Sequence, residues 1–193
     1  MDVYITRHGQ TQWNTEFRMQ GQFDSPLTES GVNGAIALGG QIAQLPDKIK
    51  ICYASPMPRT MRTASLIQEN SGYDFPVISE PNLIEMDLGS WEGMRREDAK
   101  AKWPDVFYNF RHDPNKFVPV DGGETFADVI ARASRMLDEL RNGSRGEGPV
   151  LLVTHMILIQ ALLWAYGEGQ WAGYADMRAI GDIAQTTLYK ITL

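Results

Sequence analysis

Three short apolar runs, each ending at a charged or titratable residue, constrain this chain more than any other feature. Val3-Tyr4-Ile5 leads into Arg7-His8-Gly9-Gln10-Thr11, Ile51-Cys52-Tyr53-Ala54 is followed by Arg59, and Val150-Leu151-Leu152-Val153-Thr154 stops at His155. Imidazoles and guanidiniums are poor core material, yet here each follows a strand-like stretch. In open α/β sheets the reacting groups collect in the crevice beyond the carboxyl ends of the strands. One sheet edge is therefore expected to gather His8, His155, Arg7 and Arg59. That cluster of charge asks for a highly charged oxyanion, with phosphate the obvious candidate.

The rest of the chain alternates strand and helix. Thr28 is placed to N-cap a helix whose apolar side includes Ile36, Leu38, Ile42 and Leu45, and Pro46 stops it. A strand from Ile49 to Ala54 leads through Ser55-Pro56-Met57-Pro58 into a helix from near Arg59 to about Asn70, ended by Ser71-Gly72. A short strand follows Pro76. An amphipathic helix spans about Thr125 to Leu140, and the glycine-rich turn 143–148 precedes the buried strand at Val150. The β-branched tail from Thr186 to Leu193 reads as a last strand, and the segment between Thr11 and Pro26 as a polar loop. No repeat, low-complexity tract or long linker interrupts this pattern. The expected fold is α/β, a three-layer sandwich with a mostly parallel central sheet flanked by helices, in a single domain over residues 1–193. Residues 95–121, rich in aromatics such as Trp103, Phe107, Tyr108 and Phe110, read as short helices covering the site.

Composition narrows the functional classes. With 193 residues, 43% hydrophobic and 22% charged, the chain can bury a sizeable core, and no apolar run approaches a membrane span of ~18 residues. Eighteen basic against twenty-four acidic residues give a net charge of −6, and no basic block interleaves with aromatics, so neither nucleic acid nor membrane is an expected partner. One cysteine and an N-terminus that enters a strand at once, without an h-region, fit a cytoplasmic protein lacking a signal peptide. The expected partner is a small phosphorylated metabolite. Monomer and homodimer are equally compatible with the residues.

Phosphoryl transfer explains why these residue types would meet. A phosphomonoester carries roughly two negative charges near neutral pH. Arg7 and Arg59 can neutralise its oxygens with planar, bidentate forks. Imidazole is nucleophilic only when neutral, which its reference pKa of about 6.5 permits, so His8 is a candidate for a phosphohistidine. The departing alkoxide needs a proton, and Glu85, in Leu83-Ile84-Glu85-Met86 after another strand, is the carboxyl group best placed to give one.

At this point a family pattern emerges. The chain carries, in order, Thr6-Arg7-His8-Gly9-Gln10-Thr11-Gln12-Trp13-Asn14, Met19-Gln20-Gly21, Asp24-Ser25-Pro26-Leu27-Thr28, Ser55-Pro56 with Arg59 and Thr63-Ala64, Glu85 with Gly89-Ser90-Trp91-Glu92-Gly93, Gly122-Gly123-Glu124-Thr125, and Val153-Thr154-His155. In this it resembles the histidine phosphatase superfamily, in its phosphoglycerate-mutase-like branch, and most nearly the broad-specificity and α-ribazole-phosphatase-like members. The resemblance implies His8 as phosphorylated nucleophile, Arg7 and Arg59 as phosphate clamp, Glu85 as proton donor, and His155 as the second histidine on the transferring group. Asn14, Gln20 and the backbone at Gly21 match further phosphate contacts. No metal and no cofactor are implied. Two positions depart from the pattern. Gln10 stands where Glu is frequent, and Met156 where Gly usually follows the second histidine, so that Met156 is expected to narrow the pocket or shift a backbone N–H aimed at phosphate.

The expected activity is thus metal-independent hydrolysis of small phosphomonoesters. A phosphoglycerate mutase is the alternative, disfavoured because family mutases carry a longer middle insertion, whereas about thirty residues separate Gly93 from Gly122 here. A non-catalytic phosphate binder of the same fold would need the arginines but not His8 with Glu85. Cys52 reads as a core thiol, since its interval to Arg59 is one residue too long for a cysteine-phosphatase loop, and His112 as a surface residue. The aromatics from Trp103 to Phe117 read as packing, with a share in the substrate pocket as the alternative.

Overall fold

A computed structural model describes residues 1–167 and 174–193, the side chains of 174–176 excepted. In chain order the elements are β1 (Asp2–Arg7), α1 (Gln12–Thr15), α2 (Glu29–Ile42), β2 (Ile51–Ala54), α3 (Pro58–Glu69), β3 (Val77–Ser79), α4 (Arg96–Lys102), α5 (Pro104–His112), α6 (Phe126–Arg141), β4 (Val150–Thr154), α7 (Met156–Tyr166), α8 (Tyr174–Ala179) and β5 (Leu188–Thr192), with 3₁₀ turns at Pro81–Leu83, Gly89–Trp91 and Pro114–Lys116. The five strands form one sheet in the order β3-β2-β4-β1-β5. All neighbours are parallel except β5, which runs antiparallel to β1.

Period-two alternation along the strands explains the three layers. Val3, Ile5, Tyr53, Val150 and Leu152 join a core with α6 and α7, while Tyr4, Cys52, Ala54, Leu151 and Val153 join a second core with α2 and α3. Both faces of the sheet are therefore covered, which is why these strands read as continuous apolar runs. Register sets the site. Arg7 lies opposite Thr154, and Ala54 opposite Val153, so β1, β4 and β2 end level with one another.

Several boundaries differ from the sequence reading for local reasons. Thr28 does cap α2, its Oγ1 accepting from Gly31 N at 3.1 Å. However, Ile36 is 38% exposed, because the buried stripe runs through Ala35, Leu38 and Ile42 and a neighbouring position turns away by about 100°. Strand β2 begins at Ile51 rather than Ile49, whose N–H is taken by the Tyr73 hydroxyl at 2.9 Å. The polar loop contains α1, closed by a capping box between Thr11 and Asn14. The final strand starts at Leu188, since Thr186 has φ 49°, incompatible with extended backbone. Helix α7 was not anticipated. Its sequence MILIQALLWAY is buried on nearly every side and so lacks a polar face to mark its period.

Two glycines of α2 allow a test of how tightly the strand-β1 loop is held. A Cβ on Gly31 would lie 2.2 Å from Gln10 O, whereas one on Gly40 would meet nothing within 4 Å. Gly31→Ala should destabilise the protein by about 1–3 kcal/mol through overpacking. Gly40→Ala should stabilise it by about 0.5–1 kcal/mol through helix propensity. Urea denaturation of the two variants measures both, and shifts of the same sign would contradict the packing described.

Candidate active site

His8 follows β1 directly, and its N–H completes the ladder to Thr154 O at 3.0 Å. The ring is 3% exposed, and Nδ1 lies 2.7 Å from Gly9 O. A carbonyl only accepts, so Nδ1 carries the proton and Nε2 keeps its lone pair. Burial, then the charges of Arg7 and Arg59, hold this imidazole well below its ordinary value, so that it is neutral at pH 7. Gly9 N donates to Thr63 Oγ1, which donates to Arg59 O, tying the His8 loop to the first turns of α3.

Arg59, 2% exposed, is held by its two terminal nitrogens. Nη1 donates to Phe23 O (2.7 Å) and Asp24 Oδ1 (2.9 Å), and Nη2 to Gly21 O (2.7 Å) and His155 Nδ1 (3.2 Å). Arg7 donates Nη1 to Ile183 O at 2.8 Å. Among the described residues, the buried Nε–H of each guanidinium has no partner. Because arginine only donates, His155 must accept at Nδ1, and its protonated Nε2 donates to Ser55 Oγ at 2.8 Å. His155 is fully buried, with its ring centroid 5.2 Å from that of His8. Burial and the Arg59 charge keep it neutral too.

Glu85 comes from the irregular segment after the Pro81–Leu83 turn and is 8% exposed. Oε1 accepts from Met86 N (3.0 Å) and Oε2 from Ile157 N (3.3 Å), in the first turn of α7. Burial nevertheless raises its pKa, outweighing these two donors and the charges of Arg59 and Arg7. Asn14 Oδ1 accepts from Thr11 N, Thr11 Oγ1 and Gln185 Nε2.

A cavity of about 260 Å³ unites these groups. Arg7, His8, Asn14, Gln20, Gly21, Arg59, Glu85 and Met156 all line it, while His155 sits behind Arg59 and His8. Gln10 is not in the wall; its side chain accepts from Thr28 Oγ1 at 2.9 Å. Met156 does face the cavity as the first residue of α7. Residues 95–121 contribute Arg96, Phe107, Phe110 and Arg111, and Arg18 adds a further guanidinium. These three arginines escaped the sequence reading, because nothing in a linear pattern marks a surface cation as turned toward a cavity. Arg18 is paired with Glu16 at 2.6 Å, but among the described residues neither Arg96 nor Arg111 has a carboxylate within 4 Å. The positive excess is felt nearby. Burial and the charge of Arg111 lower Arg178, stacked over Phe110, to about 10.

His112 is exposed beside Tyr108, and Cys52 is a fully buried core thiol whose pKa burial raises.

A level parallel-sheet edge carrying a neutral imidazole, a protonatable carboxyl and guanidinium donors is the architecture of an α/β enzyme that handles phosphate esters. The chain belongs to the histidine phosphatase superfamily (branch 1), whose profile matches residues 3–192. It is 33% identical over 163 residues to phosphoserine phosphatase 1 of Hydrogenobacter thermophilus, covering 84% of this chain and 74% of that one. It is also 36% identical over 165 residues to a 2,3-bisphosphoglycerate-dependent phosphoglycerate mutase of a Methylobacterium species, covering 83% and 78%. Among solved structures, YhfR of Bacillus stearothermophilus superposes with a TM-score of 0.89 at 31% identity, covering 100% of this chain and 91% of that chain. A mycobacterial glucosyl-3-phosphoglycerate phosphatase in complex with VO3 gives 0.83 at 29% identity, covering 99% and 92%.

The two depressed imidazoles carry a stability signature. A histidine whose folded pKa is lowered contributes stability that is present above its unfolded value and lost as pH falls. Unfolding free energy should therefore drop as pH is lowered from about 6.5, by up to ~1.4 kcal/mol per pH unit for each imidazole. His8→Asn and His155→Asn should each flatten that slope in urea titrations between pH 7 and 5. An unchanged slope in both variants would show that the rings are not held neutral.

Proposed function

We propose that the protein is a metal-independent phosphatase that hydrolyses small phosphomonoesters through a phosphohistidine at His8. The observation that carries this reading is a neutral His8 with its Nε2 lone pair free, on the same cavity as a Glu85 whose pKa is raised. The unpartnered Nε–H groups of Arg7 and Arg59 take up phosphoryl oxygens, assisted by Asn14, Gln20 and the backbone at Gly21. Nε2 of His8 attacks phosphorus while the ester bond opposite breaks, and protonated Glu85 gives its proton to the departing alkoxide. The resulting carboxylate takes a proton from water, the hydroxide displaces the phosphoryl group from Nε2, and phosphate leaves with Glu85 reprotonated. His155 holds Arg59 through Nδ1, its own ring fixed by the Nε2–H bond to Ser55 Oγ, and so supports the phosphate clamp from behind.

The chemistry of the wall extends this to substrate choice. Arg96 and Arg111 face the cavity without carboxylate partners among the described residues, in a chain of net charge −6. They favour a leaving alcohol that bears a second anion, a carboxylate or another phosphate. Several relatives carry names of that kind, phosphoserine phosphatase and phosphoglycerate mutase among them.

Mixing with labelled substrate and quenching without acid should trap label on His8, and His8→Ala should abolish both label and turnover; wild-type turnover without trapped label overturns the nucleophile. Activity should persist in excess chelator, with arginines serving as charge neutralisers. Glu85→Gln should reduce kcat/KM for an alkyl phosphate by roughly 10²–10⁴, the usual loss for a general acid, and affect an activated aryl phosphate far less. Arg96→Ala and Arg111→Ala should each raise KM about tenfold for phosphoserine, in line with one charged hydrogen bond, while leaving 4-nitrophenyl phosphate nearly unchanged. Equal effects on both substrates would remove the second-anion preference.

A further inference from the structure

The motif Gly122-Gly123-Glu124-Thr125 lies outside the cavity wall, yet it is built against the segment that carries Glu85. Residues 84–88 belong to no helix or strand, so no ladder fixes the Glu85 backbone. Glu124 instead makes a reciprocal pair of bonds with Asp87. Its N–H donates to Asp87 O at 2.9 Å, and its Oε2 accepts from Asp87 N at 3.0 Å. The approach is close enough to require glycine. A Cβ on Gly123, which has φ +99°, would lie 2.8 Å from Asp87 O, and one on Gly89 would lie 2.5 Å from Gly122 O. On the other side of Glu85 stands Arg132 of α6. Its Nη1 donates to Asn82 O (3.1 Å) and Ile84 O (2.9 Å), while Nε and Nη2 hold the Glu124 carboxylate with both forks at 3.0 and 2.8 Å. Side-chain exposures of 15% for Arg132 and 22% for Glu124 leave water little access to the pair.

We propose that the Arg132–Glu124 ion pair is a positioning device for the proton donor, clamping the chain at Ile84 and Asp87 so that the Glu85 carboxyl points at the leaving oxygen. The inference rests on the reading of Glu85 as general acid. Neither residue lines the cavity, so their contact with the chemistry is through the segment that carries Glu85, apart from the smaller contribution of the Arg132 charge to keeping His155 neutral, which Arg132→Lys retains. The planar guanidinium is needed because one ammonium cannot serve two carbonyls and a bidentate carboxylate together.

The test compares kcat/KM for an alkyl phosphate, phosphoserine, with that for 4-nitrophenyl phosphate, whose acidic phenol needs little protonation. Arg132→Met should lower the alkyl value about 10- to 100-fold, as expected for misplacing a catalytic group by a fraction of an ångström to one ångström, and change the aryl value less than about threefold. Arg132→Lys should restore part of the alkyl activity, and Glu124→Gln, which keeps an acceptor for Asp87 N but loses the charge pair, should fall between Met and wild type. Circular dichroism confirms folding in each case, and if Arg132→Met does not fold, the Lys and Gln variants carry the comparison. Glu85→Gln is measured alongside. If it shows no leaving-group dependence, the general-acid reading fails and this proposal with it. If Glu85→Gln discriminates between the substrates but the Arg132 and Glu124 variants lose both activities equally, or neither, the positioning role alone is overturned.

Discussion

The buried guanidinium of Arg59 is the group on which the rest of the site depends. An unpaired cation at that depth would cost several kcal/mol, and the fold answers by bringing acceptors from separate connections to it. The loop after α1 supplies the carbonyls of Gly21 and Phe23 and the carboxylate of Asp24, and the β4–α7 junction supplies His155. One side chain on α3 thereby fixes the relative placement of the segments following β1, β2 and β4. The same charge also sets the protonation of its neighbours. It helps keep both imidazoles neutral and draws Glu85 down, though not far enough to undo the effect of burial. Burial thus acts in opposite directions on a base and on a carboxyl, which is what the proposed nucleophile and proton donor would each require.

Much of this was legible from strand ends. Arg7, His8, Arg59 and His155 were placed together by the rule that reacting groups gather at the carboxyl edge, and the register of β1, β4 and β2 brings them there. Glu85 was harder, because it sits on irregular chain whose position is set by distant side chains. Helix α7 left no amphipathic signal, being apolar all round, and Ile36 was misplaced because its position is one step off the buried stripe. The inward-facing arginines 96 and 111 follow from how α4 and α5 dock, which depends on contacts far apart in sequence. The departure at Gln10 finds its reason in α2, where its side chain accepts from the capping residue Thr28 rather than facing the cavity. The departure at Met156 remains in the wall, where it adds apolar surface to the cavity.

The aromatic segment divides its work between the two roles the sequence left open. It packs around Trp91, which lies just before it in the Gly89–Trp91 turn, with Trp103, Phe107, Phe110 and Phe117 all within 6.3 Å between ring centroids. Two of those rings, Phe107 and Phe110, also face the cavity. Packing and pocket are therefore one structure, and a change that loosens the Trp91 cluster alters the shape of the binding wall as well as stability.

Strand β1, which carries the nucleophilic candidate, has both of its neighbours in the distal part of the chain: Val3 pairs with Val150 on one side and with Ile191 on the other. During synthesis this first strand emerges long before either partner, and closing so long a loop is slow relative to forming local helices. The site is consequently among the last features of the molecule to exist. A chain that stops before β4 lacks His155 and the strand against which the His8 edge is built, so the site needs residues from both the first and the last part of the sequence.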